Sequence, residues 1–353
     1  MSSVVFKLFS CHSVSSSIWN EWEYVFYMMS RVRHKMVPRV AVLGCGSWGE
    51  NHIRTLQELG ALVAVSDIDV ERSAQFASMY GVKAIAPKDL FTHKDIDALV
   101  LALPPQFHTE NVLRAVKNGK DVLVEKPIAL NISDAERQVQ VAGEYGRIFM
   151  VGHILRFHPA FEKICELVAK GELGDVRYIY SHRLGFGKFH TQSDALWDLA
   201  PHDLSMILAL TGCEPSEVRG EGAAVVDKLS DLAHVHMVFP NGIRSHLFAS
   251  RLSPYRERRL TIVGTKAMLV FDDMKPWSSK LALHPFIVWQ EGKEWNFSTD
   301  ELNYIELCEG LPLTYELQHF LHCIETRQAP RTNGNEAVAV LRILTAAHIN
   351  YHG

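Results

Sequence analysis

Three polar side chains, well separated along the chain, are of types that move protons in enzymes. Lys126 follows the apolar run 121–124, and Asp198 and His202 lie four residues apart further along. A lysine with an ordinary pKa of about 10.4 is a poor base, but burial or nearby positive charge lowers that pKa. A neutral histidine accepts a proton directly. Together the three would suit proton transfer at a hydroxyl group.

Each of these residues also has an ordinary structural interpretation. Lys126 is then a surface lysine after a strand, Asp198 a helix cap and His202 a buried core histidine. If a helix begins near Asp198, residues i and i+4 share a face, and Pro201 fits its first turn. His202 would then lie near the positive end of that helix, which disfavours the imidazolium. The proton-transfer interpretation is preferred because a nucleotide motif lies upstream.

That motif is a glycine-rich segment. Gly44, Gly46 and Gly49 form G-x-G-x-x-G between a β-branched apolar run and a helical pattern. Glycines permit the tight turn and the close approach of a pyrophosphate, which lies at the helix N-terminus. Asp67 ends the next predicted strand, where a carboxylate accepts hydrogen bonds from ribose hydroxyls and repels a 2′-phosphate. NAD is therefore favoured over NADP, and the alternative is a tight turn without a ligand.

Further cofactor contacts are predicted at other strand ends. Pro104 and Pro105 end one strand and would hold the chain against the cofactor, while Glu125 precedes Lys126 at the end of another. His108 has an equally good interpretation as a local helix cap. The predicted cofactor-binding residues are Gly44, Gly46, Ser47, Trp48, Gly49, Asp67, Leu103, Pro104, His108, Glu125 and Lys126.

Substrate contacts are predicted beyond the nucleotide motif. The predicted substrate residues are Lys126, Arg156, Asp198 and His202. Arg156 could contact a phosphate or carboxylate, or it could form an ion pair between domains. Arg156 and Arg183 are the candidates for binding a diphosphate.

The elements that must position these residues fall into two groups. Strand and helix patterns alternate up to residue 151, which predicts an α/β fold with a doubly wound parallel sheet. Beyond it, strand patterns separated by turns predict a large, mostly antiparallel sheet with helices on one face. We therefore expect a nucleotide-binding domain at 37–151 and a substrate and oligomerisation domain, with closing helices, at 152–353. Residues 1–36 are expected to be disordered or not part of the native protein.

Composition excludes several classes of protein. The net charge is −4, and no basic stretch mixes with aromatic residues, so a nucleic-acid partner is not expected. No apolar run approaches the length of a membrane span. Six cysteines without a C-x-x-C pair indicate a reducing compartment, so we expect a cytoplasmic protein. His234 and His236 share a strand face without a third ligand nearby in sequence, so no metal is predicted.

In combination, these motifs resemble the glucose-fructose oxidoreductase, inositol dehydrogenase and rhizopine-catabolism family (Gfo/Idh/MocA). The resemblance begins at Arg39 and runs to the C-terminus. It implies an N-terminal Rossmann domain, a C-terminal domain whose open sheet face joins subunits into dimers or tetramers, and NAD(P)-dependent chemistry on a sugar or cyclitol carbon. It places the catalytic lysine at Lys126, the catalytic pair at Asp198 and His202, and a frequently cis proline at Pro127.

One departure from the family pattern bears on the substrate. Glycine usually stands two residues after the aspartate, whereas this chain has Ala200 followed by Pro201. This version resembles members that act on nucleotide sugars in polysaccharide biosynthesis. The expected function is therefore NAD-dependent hydride transfer to or from a nucleotide sugar. A free-sugar or inositol dehydrogenase and a non-catalytic NAD(P)-binding regulatory protein are the alternatives.

Overall fold

The computed structural model describes residues 37–187, 189, 193–226 and 228–347, so the predicted extension 1–36 lies outside the described residues. Strands alternate with helices in the first half of the described chain. Strands β1 to β6 span Val40–Leu43, Leu62–Ser66, Lys83–Ala84, Ala98–Leu101, Asp121–Glu125 and Phe149–Gly152. Helices α1 to α5 span Ser47–Glu58, Val70–Tyr80, Pro87–Leu90, His108–Lys117 and Ile132–Glu144.

These six strands form one parallel sheet in the order β3-β2-β1-β4-β5-β6. This is the order of a Rossmann fold, in which ligands bind at the carboxyl edge where the strand order reverses. Strands β1, β4, β5 and β6 are buried along their whole length, as expected when helices cover both faces. The predicted doubly wound parallel sheet is confirmed.

The second half of the described chain forms a nine-stranded sheet. Strands β7 to β15 span Tyr178–Phe186, Glu217–Ala223, Leu232–Val238, Arg244–Ser250, Leu252–Val263, Ala267–Asp272, Leu281–Glu291, Glu294–Thr299 and Asn303–Tyr304. The order is β14-β13-β12-β11-β7-β10-β9-β8, with β15 on β13. Only the β7–β10 pair is parallel among these described pairings, which confirms the predicted mostly antiparallel sheet. The central strand β7 was not predicted.

Two helices of this half, α6 (Pro159–Ala169) and α7 (Ala195–Thr211), pack on one face of the second sheet, here called its inner face. Asp194 caps α7 by accepting a hydrogen bond from the backbone amide of Trp197 at 2.8 Å. The helix thus begins three residues before Asp198, which lies in its first turn, and the expectation that Pro201 falls in the first turn is wrong. Pro201 lies inside the helix, where a proline removes one backbone hydrogen bond. Apolar side chains of α7 reach the sheet core: Leu196, Ala200, Leu204 and Ile207.

The last two helices pack against the first sheet although they follow the second in sequence. Helix α8 (Pro312–Thr326) buries Leu317 and Phe320 in the same core as Val40 of β1. Full burial of one such side chain stabilises the fold by about 1.5–3 kcal/mol. Helix α9 (Gly334–Ala346) contributes apolar side chains to the cores of both sheets. The domain division at residue 151 stays a prediction.

The outer face of the second sheet, opposite α7, carries histidine and aromatic rings. His234 stacks on Phe248 with ring centroids 4.2 Å apart, and His236 stacks on His246 at 4.5 Å. No group of three or more His, Cys, Asp or Glu within the described ranges could hold a metal ion. No helix among the described residues is long and apolar enough to cross a membrane. Of the five described cysteines, all free, Cys308 is exposed.

Candidate active site

The glycine loop joins β1 to α1 at the carboxyl edge of the first sheet. Gly44 has a φ of +100°, and a Cβ there would overlap the carbonyl oxygen of Ala102. A Cβ at Gly49 would likewise overlap the carbonyl oxygen of Gly44. Gly46 precedes α1 with no side-chain cap, and a Cβ on it would meet nothing within 4 Å. The uncapped amides of α1 thus border open space, an arrangement that fits a bound pyrophosphate.

Asp67 lies beside this loop at the end of β2. Its Oδ2 accepts a hydrogen bond from the Cys45 amide at 2.6 Å, and its Oδ1 accepts one from the Asp69 amide at 2.9 Å. A carboxylate has about four lone-pair sites, so capacity remains for ribose hydroxyls. The predicted side chains Ser47 and Trp48 are exposed at the start of α1, whereas Asp67 is only 7% exposed, so accessible surface for a dinucleotide lies mainly at the loop.

Two further polar residues of the predicted cofactor set, Glu125 and His108, are also buried. Glu125 is 6% exposed, and its Oε1 lies 2.6 Å from Nε2 of the fully buried His52. His108 is fully buried, and its ring nitrogens lie 2.8 Å from the carbonyl oxygens of Leu103 and Pro127. Any effect of the His108 side chain on a cofactor is therefore indirect, through the two loops that it braces at the strand ends.

A second acid accompanies Glu125 in the interior. Glu316 of α8 is 1% exposed, and both of its carboxylate oxygens lack a hydrogen-bond partner among the described residues. Burial, together with the charge of Glu125, raises the pKa of Glu316 well above its usual range. Glu316 therefore takes up a proton more readily than an exposed glutamate does.

Lys126 connects the two halves of the site. Its Nζ donates a hydrogen bond to the main-chain carbonyl oxygen of Asp198 at 2.9 Å and lies 3.8 Å from Asp198 Oδ1. The peptide bond between Lys126 and Pro127 is cis. Burial lowers the pKa of Lys126, and the charge of Arg183 adds to that shift, while Asp198 opposes it. The structure thus brings β5 and α7 together as the proton-transfer hypothesis requires.

His202 lies inside α7, two turns from its start. Its pKa is well below the ordinary value, first because of burial and then because of the positive charges of Lys126 and Arg183. The predicted neutral imidazole is thus supported by a different cause, since the helix begins at Ala195 and its positive end is remote. A neutral imidazole beside two cations is a proton acceptor at neutral pH.

The Arg156 side chain contacts other protein groups. Its Nη1 lies 3.4 Å from the carbonyl oxygen of Ser205 and 3.4 Å from Oε1 of Glu336 on α9. The ion-pair alternative is therefore the one that the geometry favours. His153, which is 1% exposed, lies 3.8 Å from Glu336 Oε2 and packs edge-on against His202.

The fold and the loop define a dinucleotide-binding protein of Rossmann type, and comparisons with known proteins agree. Residues 38–153 match the model of the oxidoreductase family with an NAD-binding Rossmann fold, and residues 161–270 match the GFO/IDH/MocA C-terminal domain. The chain belongs to this family of oxidoreductases.

Relatives within the family differ in substrate. The chain is 32% identical to UDP-N-acetylglucosamine 3-dehydrogenase of Acidithiobacillus ferrooxidans, over 64% of this chain and 70% of that protein. The solved structure of that enzyme superimposes with a TM-score of 0.77, covering 88% of this chain and 97% of the other. The chain is also 27% identical to scyllo-inositol 2-dehydrogenase (NAD(+)) of Bacillus subtilis, over 88% and 92% of the two chains.

Proposed function

We propose that the protein transfers hydride between NAD and a secondary alcohol or ketone of a sugar, carried as a nucleotide sugar. The observation that carries the proposal is the contact between Lys126 and Asp198, which joins the carboxyl edge of the dinucleotide sheet to α7. A lysine, a carboxylate and a histidine gathered there are the types of group that proton transfer beside a nicotinamide uses, which supports the proposal. A cytoplasmic location and assembly through the outer sheet face stay predictions.

Each residue of the candidate site has a separate role in the proposed reaction. Bound NAD supplies the carbon that accepts or releases hydride. His202 takes the proton from the sugar hydroxyl in the direction of oxidation, because its neutral form dominates. Lys126 donates a hydrogen bond to the reacting oxygen and disfavours a protonated His202 through its charge. Asp198 holds the ammonium of Lys126 in place.

The substrate class rests on similarity and is open to a direct test. One relative is named for a UDP-sugar and another for an inositol, so an inositol or free sugar is the second candidate. We expect purified protein to produce NADH with at least one UDP- or dTDP-sugar and not with the matching free sugar. Absorbance at the NADH band, followed with UDP-sugars, dTDP-sugars, free aldoses and inositols, measures this. Turnover confined to inositols or free aldoses would overturn the nucleotide-sugar assignment.

The preference for NAD depends on the charge of Asp67. In Asp67→Asn the charge is lost while most of the shape is kept, so repulsion of a 2′-phosphate disappears. We expect the ratio of kcat/KM for NAD to that for NADP to fall on the order of tenfold to a hundredfold, because like-charge juxtaposition costs several kcal/mol. Asp69→Asn, two residues further along at the cap of α2, is the control. An unchanged ratio in Asp67→Asn would show that cofactor choice lies elsewhere.

A further inference from the structure

Two arginines lie opposite each other on the inner face of the second sheet. Arg183 of β7 and Arg258 of β11 are directly opposite in the antiparallel register, so their side chains share a face. Arg183 donates from Nε to Asp203 of α7, which is 1% exposed. Ser181 also donates to that carboxylate, at 2.5 Å. The pair therefore faces the helix that carries His202.

Of the two arginines, only Arg183 forms a direct ion pair among the described residues, although the charges of Asp203 and Asp273 also act on Arg258. Asp203 is the ion-pair partner of Arg183. Arg258 donates from Nη1 to two neutral carbonyl oxygens, of Leu184 at 2.8 Å and Glu257 at 2.9 Å. Within the described ranges, no carboxylate lies at salt-bridge distance from Arg258. Like charges directly opposite on neighbouring strands destabilise a sheet, so this arrangement gains most from an anion supplied by a ligand.

The positive charges of Arg183 and Arg258 act on His202. Burial, and then the charge of Arg183, lowers the pKa of Arg258 to about 10. Both arginines also lower the pKa of His202. An anion bound by Arg258 would therefore lie on the same side of α7 as the reacting sugar. Arg156, the other arginine singled out from the sequence, is already paired with Glu336.

We propose that Arg258, oriented opposite the Arg183–Asp203 ion pair, binds a phosphate oxygen of the substrate's nucleoside diphosphate. The inference rests on the proposed function, because it places the diphosphate of the same nucleotide sugar. A guanidinium offers two parallel N–H groups that match two phosphate oxygens, so Arg258 distinguishes a sugar diphosphate from a free sugar. Substrate class would then be decided on β11, whereas hydride and proton transfer take place at β5 and α7.

The test compares Arg258→Gln with Arg259→Gln. Arg259 is the next residue on β11, lies on the outer face opposite His182, and pairs with Glu257 at 2.7 Å. Titration calorimetry with UDP on the NADH-saturated protein measures the anion site without turnover. We expect Arg258→Gln to weaken UDP binding about tenfold to a hundredfold, as loss of a hydrogen bond to a charged group does, and Arg259→Gln to leave it unchanged. KM for the UDP-sugar should rise by a similar factor in Arg258→Gln.

Each result decides one of the two proposals. Unchanged UDP affinity in Arg258→Gln, with NADH binding and thermal unfolding intact, overturns the anion site. Equal loss of affinity in both variants also overturns it, because the effect is then general. Arg258→Lys, which keeps the charge but not the paired N–H groups, replaces Arg258→Gln if the latter fails to fold, and intermediate affinity is expected. UDP binding that depends on Arg258, without turnover of any sugar, supports the site and overturns the proposed reaction. Galacturonate competing as well as UDP would overturn the diphosphate in favour of a carboxylate.

Discussion

Lys126→Met is expected to lower kcat/KM by about a hundredfold to a thousandfold, the loss typical of removing one hydrogen-bond donor to the oxygen on which charge develops. Methionine keeps the length of the side chain but loses the ammonium that bonds the Asp198 carbonyl oxygen. Rate with the true substrate, measured through NADH absorbance, gives the loss. NADH affinity, measured separately by fluorescence, should change by less than a few-fold, because the glycine loop and Asp67 remain.

Lys120 provides a matched control on the same strand. It is 7% exposed, precedes β5 at the opposite edge of the sheet and donates to the carbonyl oxygens of His93 and Ile96. Lys120→Met should leave two carbonyls unpaired and lower the melting temperature while the turnover rate is kept. The role of Lys126 is refuted if Lys126→Met turns over substrate at the wild-type rate while remaining folded.

The first sheet was predictable because its signals are local. Each of its main strands is a short buried apolar run, and the following helix ends at or just before a glycine such as Gly81, which adopts the left-handed conformation that glycine tolerates. Parallel pairing then brings the carboxyl ends of all strands to one edge, so the neighbourhood of Gly44, Asp67 and Lys126 followed from order alone. The short helix Pro87–Leu90 was missed because a single turn has no periodicity.

The second half of the chain was less predictable where its residues contribute to the candidate site. Strand β7 was not predicted because its inner positions are Ile179, Ser181 and Arg183 rather than three apolar residues. The polar pair there contacts Asp203 on α7, so the pattern of a core strand is broken by groups that belong to the site. The preference of proline for the first helical turn gave a wrong prediction at Pro201, because tertiary packing of α7 overrides that preference.

Supporting residues of the site could not be found from sequence, because they meet through long-range packing. Glu316 and Glu336 stand in the closing helices and reach the strand ends only after the chain has returned to the first sheet. His52 pairs with Glu125 across 73 positions. Nothing in the local pattern distinguishes these residues from ordinary surface acids or helix histidines. Lys126, Asp198 and His202 could be proposed from the sequence because the nucleotide motif and their own neighbours in sequence accompany them.

His202→Asn is the second substitution expected to have a large effect, a loss of kcat/KM of about a hundredfold to ten-thousandfold. Asparagine occupies a similar position but cannot take a proton from the hydroxyl. His246→Asn is the control, because that histidine also has a lowered pKa, about 4, but lies on the outer face of the sheet. If Lys126 and His202 act as one unit, the double variant should lose far less than the product of the two single losses.

The pH profile separates a proton acceptor from a structural histidine at this position. A base must be neutral, so kcat/KM falls as pH drops through its pKa, and the lowered pKa of His202 places that acid limb below pH 6.5. Arg258 contributes to the shift, so Arg258→Gln should raise the pKa of His202 and move the acid limb to higher pH. In His202→Asn the limb should vanish from the residual activity. The assignment would be contradicted if the acid limb persisted in His202→Asn and did not shift in Arg258→Gln. The base would then be another group, because a histidine that only packs in the core does not determine the pH at which kcat/KM falls.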